Sequence, residues 1–383
     1  MSPRKTTGGM PRDRALTAEM AEERIYVASQ AQLMWWKFRR HRMAVASAIL
    51  VIILYLVAIL AEFVAPYDPN ETDTKFLFVP PRAIRFWGPK GLSLRPFVYG
   101  LTVHVDDETY RTTWTEDTSV QYPIHFLVHG APYKTWGLIK SDIHLFGLQD
   151  GRKGVFLLGT DKLGQDLLTR IVFGSRISLS IGLVGIAISL MLGISIGGVS
   201  GFYGGFVDIL VQRVIEFIRS IPDIPLWMSL SAALPADLPP LTRYFGITVI
   251  LSFIGWTGLA RVVRGSFLAL REQDFVLAAT LSGASEWRVI MRHMVPSFMS
   301  YLIASTTLAI PGMILGETSL SFLGLGLRPP VVSWGVMLRD AQHLRFVAQA
   351  PWLLLPGLFV VLSVLSFNFV GDGLRDAVDP YAR

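Results

Sequence analysis

The sequence predicts an all-α integral membrane protein with six transmembrane helices and a mixed, β-containing insert between the first and second. Two observations carry this reading. The chain is 383 residues long, 51% hydrophobic and only 17% charged, and its apolar residues fall in runs long enough to cross a bilayer. Between the first two runs, residues 66–155 turn polar and aromatic, with short alternating segments broken by Pro and Gly. The net charge of +6 is modest and the basic residues cluster beside the apolar runs, which suits anionic lipid headgroups and not nucleic acid. The absence of Cys excludes disulfides, thiolate metal sites and Cys nucleophiles, and leaves the compartment open.

In chain order, residues 1–42 read as a cytoplasmic tail, with Glu19, Glu22 and Glu23, and a basic juxtamembrane segment. Trp35 and Trp36 suit the headgroup level, and Lys37, Arg39, Arg40 and Arg42 hold this end inside. Residues 43–65 form the first membrane helix. The run from Met43 to Val64 is too long for the core of a cleaved signal peptide, and no small-residue cleavage site follows it. The insert, 66–155, therefore lies on the outer face. Within it FVYGLTVHV and YPIHFLVHG alternate as strands do, and His125 and His129 share a face without a third metal ligand nearby, so a satisfied or solvent-facing role is expected.

Residues 156–383 are read as a core of five further helices. Gly and Asp in LGTDKLGQD make a tight, capped turn before an interfacial helix, which leads to the second span, about 177–198. Gly193, Gly197, Gly201 and Gly205 recur every fourth position there and clear one face for a neighbouring backbone. The string GISIG matches GxSxG, but Ser195 sits within an apolar helix and not at a strand-to-helix elbow, so no hydrolase is expected. Gly204, Gly205, Asp208, Arg213 and Glu216 open a third span that reaches about Leu234 with a kink at IPDIP; a structural role is expected for its charges. The fourth span covers about 244–262, the fifth about 294–316 with an interruption at Pro311 and Gly312, and the sixth about 351–370. Glu317, a rare carboxylate at a span's end, is read as a partner for a nearby Arg or a backbone donor, with a path or gating contact as the alternative. An even count returns the C-terminus, with Arg375 and Arg383, to the cytoplasm.

The polar stretch 271–296, REQDFVLAATLSGASEWRVIMRHMVP, stands between the fourth and fifth spans. Its apolar positions fall at helical spacing up to Leu281, Gly283 suits a helix C-terminus, and Ser285 with Glu286 suits the start of a second helix. Arg261, Arg264, Arg271, Arg288 and Arg292 place the stretch in the cytoplasm.

The frame Ala278, Ala279, Gly283, Pro296 resembles the cytoplasmic coupling loop of binding-protein-dependent ABC importer permeases. Leu277 stands where that family usually has Glu, and His293 and Val295 replace an Ile and a Leu before the Pro. The strings PYKTWGLIKSDIHLFG, LGTDKLGQD, GETSLSFLGLG, SWGVMLRDA and GDGLRDAVDP are similar, in the same order, to the oligopeptide and dipeptide branch, specifically its C-type permease; Gln165 stands where Arg is more common. The resemblance runs from Trp35 onward. It implies the type I ABC importer permease fold in a bacterial inner membrane, multi-pass with both termini cytoplasmic, and a coupling loop in which Asp274, Ala278, Ala279, Gly283, Ala284 and Pro296 contact an ATPase. It also implies a second, homologous permease chain, two ATPase subunits that bind ATP and Mg, a periplasmic or lipid-anchored binding protein, and contact with membrane lipids. Peptides are the implied cargo, with oligosaccharides or a chelated metal as the alternative.

No Lys follows a Gly, so the chain has no Walker A loop; it has no HExxH motif either, and no enzymatic or cofactor-binding role is expected of it. An ATP-independent channel or secondary transporter would call for ionisable residues in mid-span or paired broken helices, which the Pro311 interruption alone does not supply.

Overall fold

The computed structural model describes residues 30–88, 91–105, 112–149 and 153–378. The expected tail before residue 30, with Glu19, Glu22 and Glu23, and the terminal Pro380 and Arg383 lie outside the described residues.

Helix α1 (Gln30–Arg40) is polar and breaks at His41, whose Nδ1 accepts the Ala44 amide at 3.1 Å and so caps α2 (Arg42–Ile59). Helix α2 is apolar all round and keeps Ile49, Ile52, Ile53 and Leu56 exposed, as a helix facing lipid must. One further turn, Ala61–Val64, leads into an antiparallel sheet of strands β1 (Arg85–Gly88), β2 (Gly91–Val105), β3 (Thr112–Thr135) and β4 (Ile139–Leu148), in that spatial order. Both alternating sequence segments lie in these strands, pairing Val98 with Tyr122 and Ile124 with Leu148 over a small core completed by Val155. His129 meets Asp142 at 2.9 Å, while His144, not singled out by spacing, is buried between the carbonyls of Ala65 and Ala131.

The rest is helical. Helix α3 (Leu167–Tyr203) runs unbroken from the Asp166 cap, so the expected interfacial helix is the first part of the second span itself; it is followed by α4 (Gly205–Arg219), α5 (Asp223–Ala232), α6 (Pro240–Leu270) and α7 (Asp274–Leu281). Then come α8 (Met299–Phe322), α9 (Trp334–Asp340), α10 (Leu344–Gln349) and α11 (Leu355–Val378). Among the described residues five helices are long and apolar enough to cross a membrane: α2, α3, α6, α8, and α11 with the turn before it. The third expected span is not one helix, and it breaks at the kink expected in IPDIP. It divides into α4 and α5 at Ser220–Pro222, because Pro222 donates no amide hydrogen and drives Ile221 out of helical backbone. The opposite correction applies to α8, which runs unbroken through Pro311; Pro311 is buried among neighbouring helices, where a missing backbone bond is tolerated.

The glycine stripe sets the central helix pair. A Cβ on Gly193 would meet that of Leu259 at 2.7 Å, one on Gly197 would lie 2.4 Å from the Ala260 carbonyl oxygen, and one on Gly201 would lie 2.6 Å from Phe267 Cβ. Helices α3 and α6 therefore touch backbone to backbone. The stripe stops there: Gly205 has nothing within 4 Å and opens α4 with φ +54°. Around this pair Leu54 and Ala58 of α2, Ile310 and Ile314 of α8, Trp334 of α9 and Phe367 of α11 close the main core.

Candidate functional site

Two polar constellations stand out against the apolar helices. The first is the segment after α6. Helix α7 ends as the sequence suggested: Gly283 has φ +79°, its amide donates to the Thr280 carbonyl at 3.0 Å, and the Ala284 amide reaches back to Ala279 at 3.1 Å. That bond pair is the Schellman ending, which needs a residue free to turn left-handed. Ser285 occupies the N-cap of the turn Glu286–Arg288 without a capping bond from its side chain, and a π-helical turn, Val289–Met294, leads to Pro296 in the short turn before α8.

One face of this segment is anchored and the other is bare. Val276, Val289, Ile290, Met294 and Val295 pack on Val263 and Phe267 of α6 and Leu302 of α8. Asp274, Phe275, Leu277, Ala278, Gly283 and Trp287 are exposed, and Leu281 is 89% exposed. Ala279 and Ala284 lie half-buried between the two faces. The segment is also tied to a neighbouring helix end, where Tyr203 of α3 donates to Glu286; close by, Arg264 of α6 pairs with Asp208 of α4, which also accepts from Ser200 of α3 at 2.6 Å. Val276 of α7 thus shares one core with α6 and α8.

The second constellation surrounds Glu317, which is fully buried. Its Oε1 accepts from Ser321 at 2.8 Å and from Ser333 at 2.7 Å, and Ser178 of α3 approaches Oε2 at 3.4 Å. Those hydroxyls are themselves acceptors: Ser178 for the Trp334 amide at 3.1 Å, Ser321 for Leu327 at 3.0 Å and Ser333 for Val336 at 3.2 Å. Glu317 thus joins α3, α8, the loop 323–333 and α9 through hydroxyls; among the described residues these serines, and not the expected Arg or backbone donor, are its partners. The ring of serines was missed in the sequence. Ser321, four residues on, was its one local signal, while Ser178 and Ser333 meet Glu317 only in the fold. Glu317→Ala, which strands the hydroxyls and leaves a void, is expected to lower stability by about 3 kcal/mol. Glu317→Gln should lose clearly less, and thermal unfolding of the purified chain in detergent measures both.

The capped turn before α3 is built by its own motif. Gly159 and Gly164 have φ +83° and +72°, and a Cβ on Gly164 would overlap the Asp73 carbonyl. Asp161 accepts the amides of Leu163 at 2.8 Å and Gln165 at 3.0 Å and pairs with Arg170, while Asp166 caps α3 through the Thr169 amide at 2.8 Å. Burial pushes the Asp166 carboxyl up to about 7, against the pull of its bond from Thr169. In the unfolded chain it ionises near 3.8, so the folded form holds the extra proton between these values. Stability should therefore fall as pH rises from about 4 to about 7, by at most about 1.4 kcal/mol per pH unit, and level off above. Asp166→Asn should flatten that part of the profile in a pH series of thermal unfolding.

This fold defines a multi-pass helical membrane protein carrying a segment that is braced against two spans and bares a largely apolar face. The description "Binding-protein-dependent transport system inner membrane component" matches residues 177–383, and "N-terminal TM domain of oligopeptide transport permease C" matches residues 29–81. The chain belongs to this family of transport-system permeases. It is 38% identical to the oligopeptide transport system permease protein OppC of Haemophilus influenzae, across 63% of this chain and 76% of that one. It is 31% identical to the dipeptide transport system permease protein DppC of Lactococcus lactis subsp. cremoris, across 91% and 90%. An inward-facing structure of the MetNI methionine ABC transporter overlaps 56% of this chain and 98% of that one at 18% identity and a TM-score of 0.44.

Proposed function

We propose that this chain forms half of the translocation path of an ATP-driven peptide importer, with ATP and Mg bound by separate ATPase subunits and cargo handed over by a binding protein. The observation that carries it is the bare face of α7, with Phe275, Leu277 and Leu281 exposed, and Trp287 exposed just past the Gly turn, while Val276 pins the other face to α6. Such a ledge fits a groove on a partner. Asp274, Ala278, Ala279, Gly283 and Ala284 would line the contact, and Pro296 would set the exit toward α8. Cargo class follows the relatives named for oligopeptide and dipeptide transport.

Orientation follows from packing and charge. Arg176, near the start of α3, donates to the Ala58 carbonyl at 3.0 Å, so the start of α3 lies beside the end of α2. The opposite side of the membrane then holds the start of α2, the end of α3 and the α7 segment, with Arg39, Arg40, Arg42, Arg271, Arg288 and Arg292. That side is the cytoplasm by the positive-inside rule, and the sheet is periplasmic. Helices α4 and α5 together supply the remaining crossing of a six-span subunit with both termini inside. Closing of the ATPase pair on ATP would move α7, and the shared core would carry α6 and α8 with it; ATP drives this only through its tighter binding to the closed pair. Purification through a tag on this chain tests the assembly: an ATPase and a second, homologous permease should co-elute, and elution of this chain alone would refute it.

A further inference from the structure

The hairpin between β3 and β4 ends at the membrane. Its turn, Trp136–Gly137–Leu138, lies between the paired residues Thr135 and Ile139. Trp136 Nε1 donates to the carbonyl of Ile59, the last residue of α2, at 3.1 Å. Arg176 fixes the same spot: its guanidinium lies 4.3 Å from the centre of the Trp136 ring, donates to the Ala58 and Ile59 carbonyls and binds Glu62 at 2.8 and 2.6 Å. The hairpin tip is therefore held level with the end of an apolar, lipid-facing helix, where a bilayer gives way to water.

At that level the tip presents what a bilayer surface receives. Leu138 is 85% exposed, Ile139 68% and Trp136 55%. Trp136 holds φ +52°, left-handed backbone that a bulky residue adopts only when its surroundings require it. Behind the tip Lys134 and Lys140 are a direct cross-strand pair, both exposed. Like charges so placed repel unless an anion sits between or beside them. The nearest carboxylate on the strand, Asp142, is paired with His129.

We propose that this tip is a membrane anchor: Trp136, Leu138 and Ile139 enter the headgroup and upper acyl region of the leaflet at the end of α2, and Lys134 with Lys140 binds anionic lipid phosphate. The occupant is lipid because the tip continues the lipid-facing surface of α2 and sets apolar side chains beside two lysines that form no ion pair among the described residues, the two halves of an anionic interface. The anchor would hold the sheet at a fixed height over the helices, so that whatever docks on it meets a platform braced on the bilayer.

The chain has no Cys, so single reporters carry no background. Leu138→Cys and, separately, Ile139→Cys would bear a nitroxide label in the full chain, reconstituted in vesicles of phosphatidylcholine alone or mixed with phosphatidylglycerol. Val103→Cys, near the other end of the sheet, serves as the aqueous reference. Collisions with oxygen should exceed those with a water-soluble nickel complex at 138 and 139, and the reverse should hold at 103. Adding phosphatidylglycerol should deepen the 138 label, and Lys134→Gln with Lys140→Gln should abolish that deepening. Labels at 138 and 139 as open to nickel as 103, or shielded from both agents by protein, would overturn the anchor. Depth that ignores both the anionic lipid and the lysines would overturn the phosphate site.

Discussion

Gly197→Leu should force apart the two longest helices of the molecule and leave little folded protein. The Cβ alone would lie 2.4 Å from the Ala260 carbonyl oxygen and 2.8 Å from its Cα, and both are backbone atoms that cannot rotate away. Relief requires α6 to shift as a body, which breaks the contacts at Gly193 and Gly201 and drags the core around Leu259 and Ile314. Overpacking of a close-packed core costs about 1–3 kcal/mol even where side chains can yield, and this site falls at or above the upper end. Gly265→Ala on α6, with nothing within 4 Å of the new Cβ, is the matched control. Size-exclusion chromatography in detergent should show aggregation for the first and a monodisperse peak for the second. Equal behaviour would remove the close approach of α3 and α6 from the account.

Gly283→Trp should act in the opposite manner, sparing the fold and abolishing the stimulation of ATP hydrolysis by loaded binding protein. Nothing lies within 4 Å of a Cβ built there, so within this chain the indole meets no obstacle. The left-handed backbone at φ +79° adds a local strain of about 1–2 kcal/mol for any side chain, too little to unfold the helices. What the indole does obstruct is the proposed ATPase groove. Gly283→Ala carries the same strain without the bulk and should retain most of the stimulation, while association of the two permease chains should remain detectable in both variants. If Ala and Trp abolish stimulation alike, backbone strain and not docking is responsible; normal stimulation with Trp would sink the role of Gly283.

How far the sequence disclosed this follows the range of each interaction. The Gly283 ending and the capped turns at Asp161 and Asp166 were legible because the groups involved lie within a few residues of one another. The glycine stripe was legible as far as Gly201, because the period of four is local; which helix it faced, and that Gly205 leaves the stripe, depended on the fold. The division of the third span at Pro222 and the continuity of α8 through Pro311 turn on the same residue type with opposite outcomes. The difference lies in burial: Pro311 is enclosed by neighbouring helices, whereas the break before Pro222 is exposed. The serine ring around Glu317 gathers residues 139 and 16 positions away, and the bond from Trp136 to Ile59 spans 77, distances at which no sequence period reports contact.

The central claim is that peptide delivered to the outer face is coupled, through α7, to hydrolysis on a partner. The most direct measurement is ATP hydrolysis by the complex purified through a tag on this chain, in lipid discs, with its binding protein loaded with a peptide mixture or with oligosaccharides. The peptide-loaded protein should stimulate hydrolysis and the sugar-loaded one should not. Stimulation by sugar alone would keep the machine and contradict the cargo, and hydrolysis indifferent to any loaded binding protein would contradict the coupling itself.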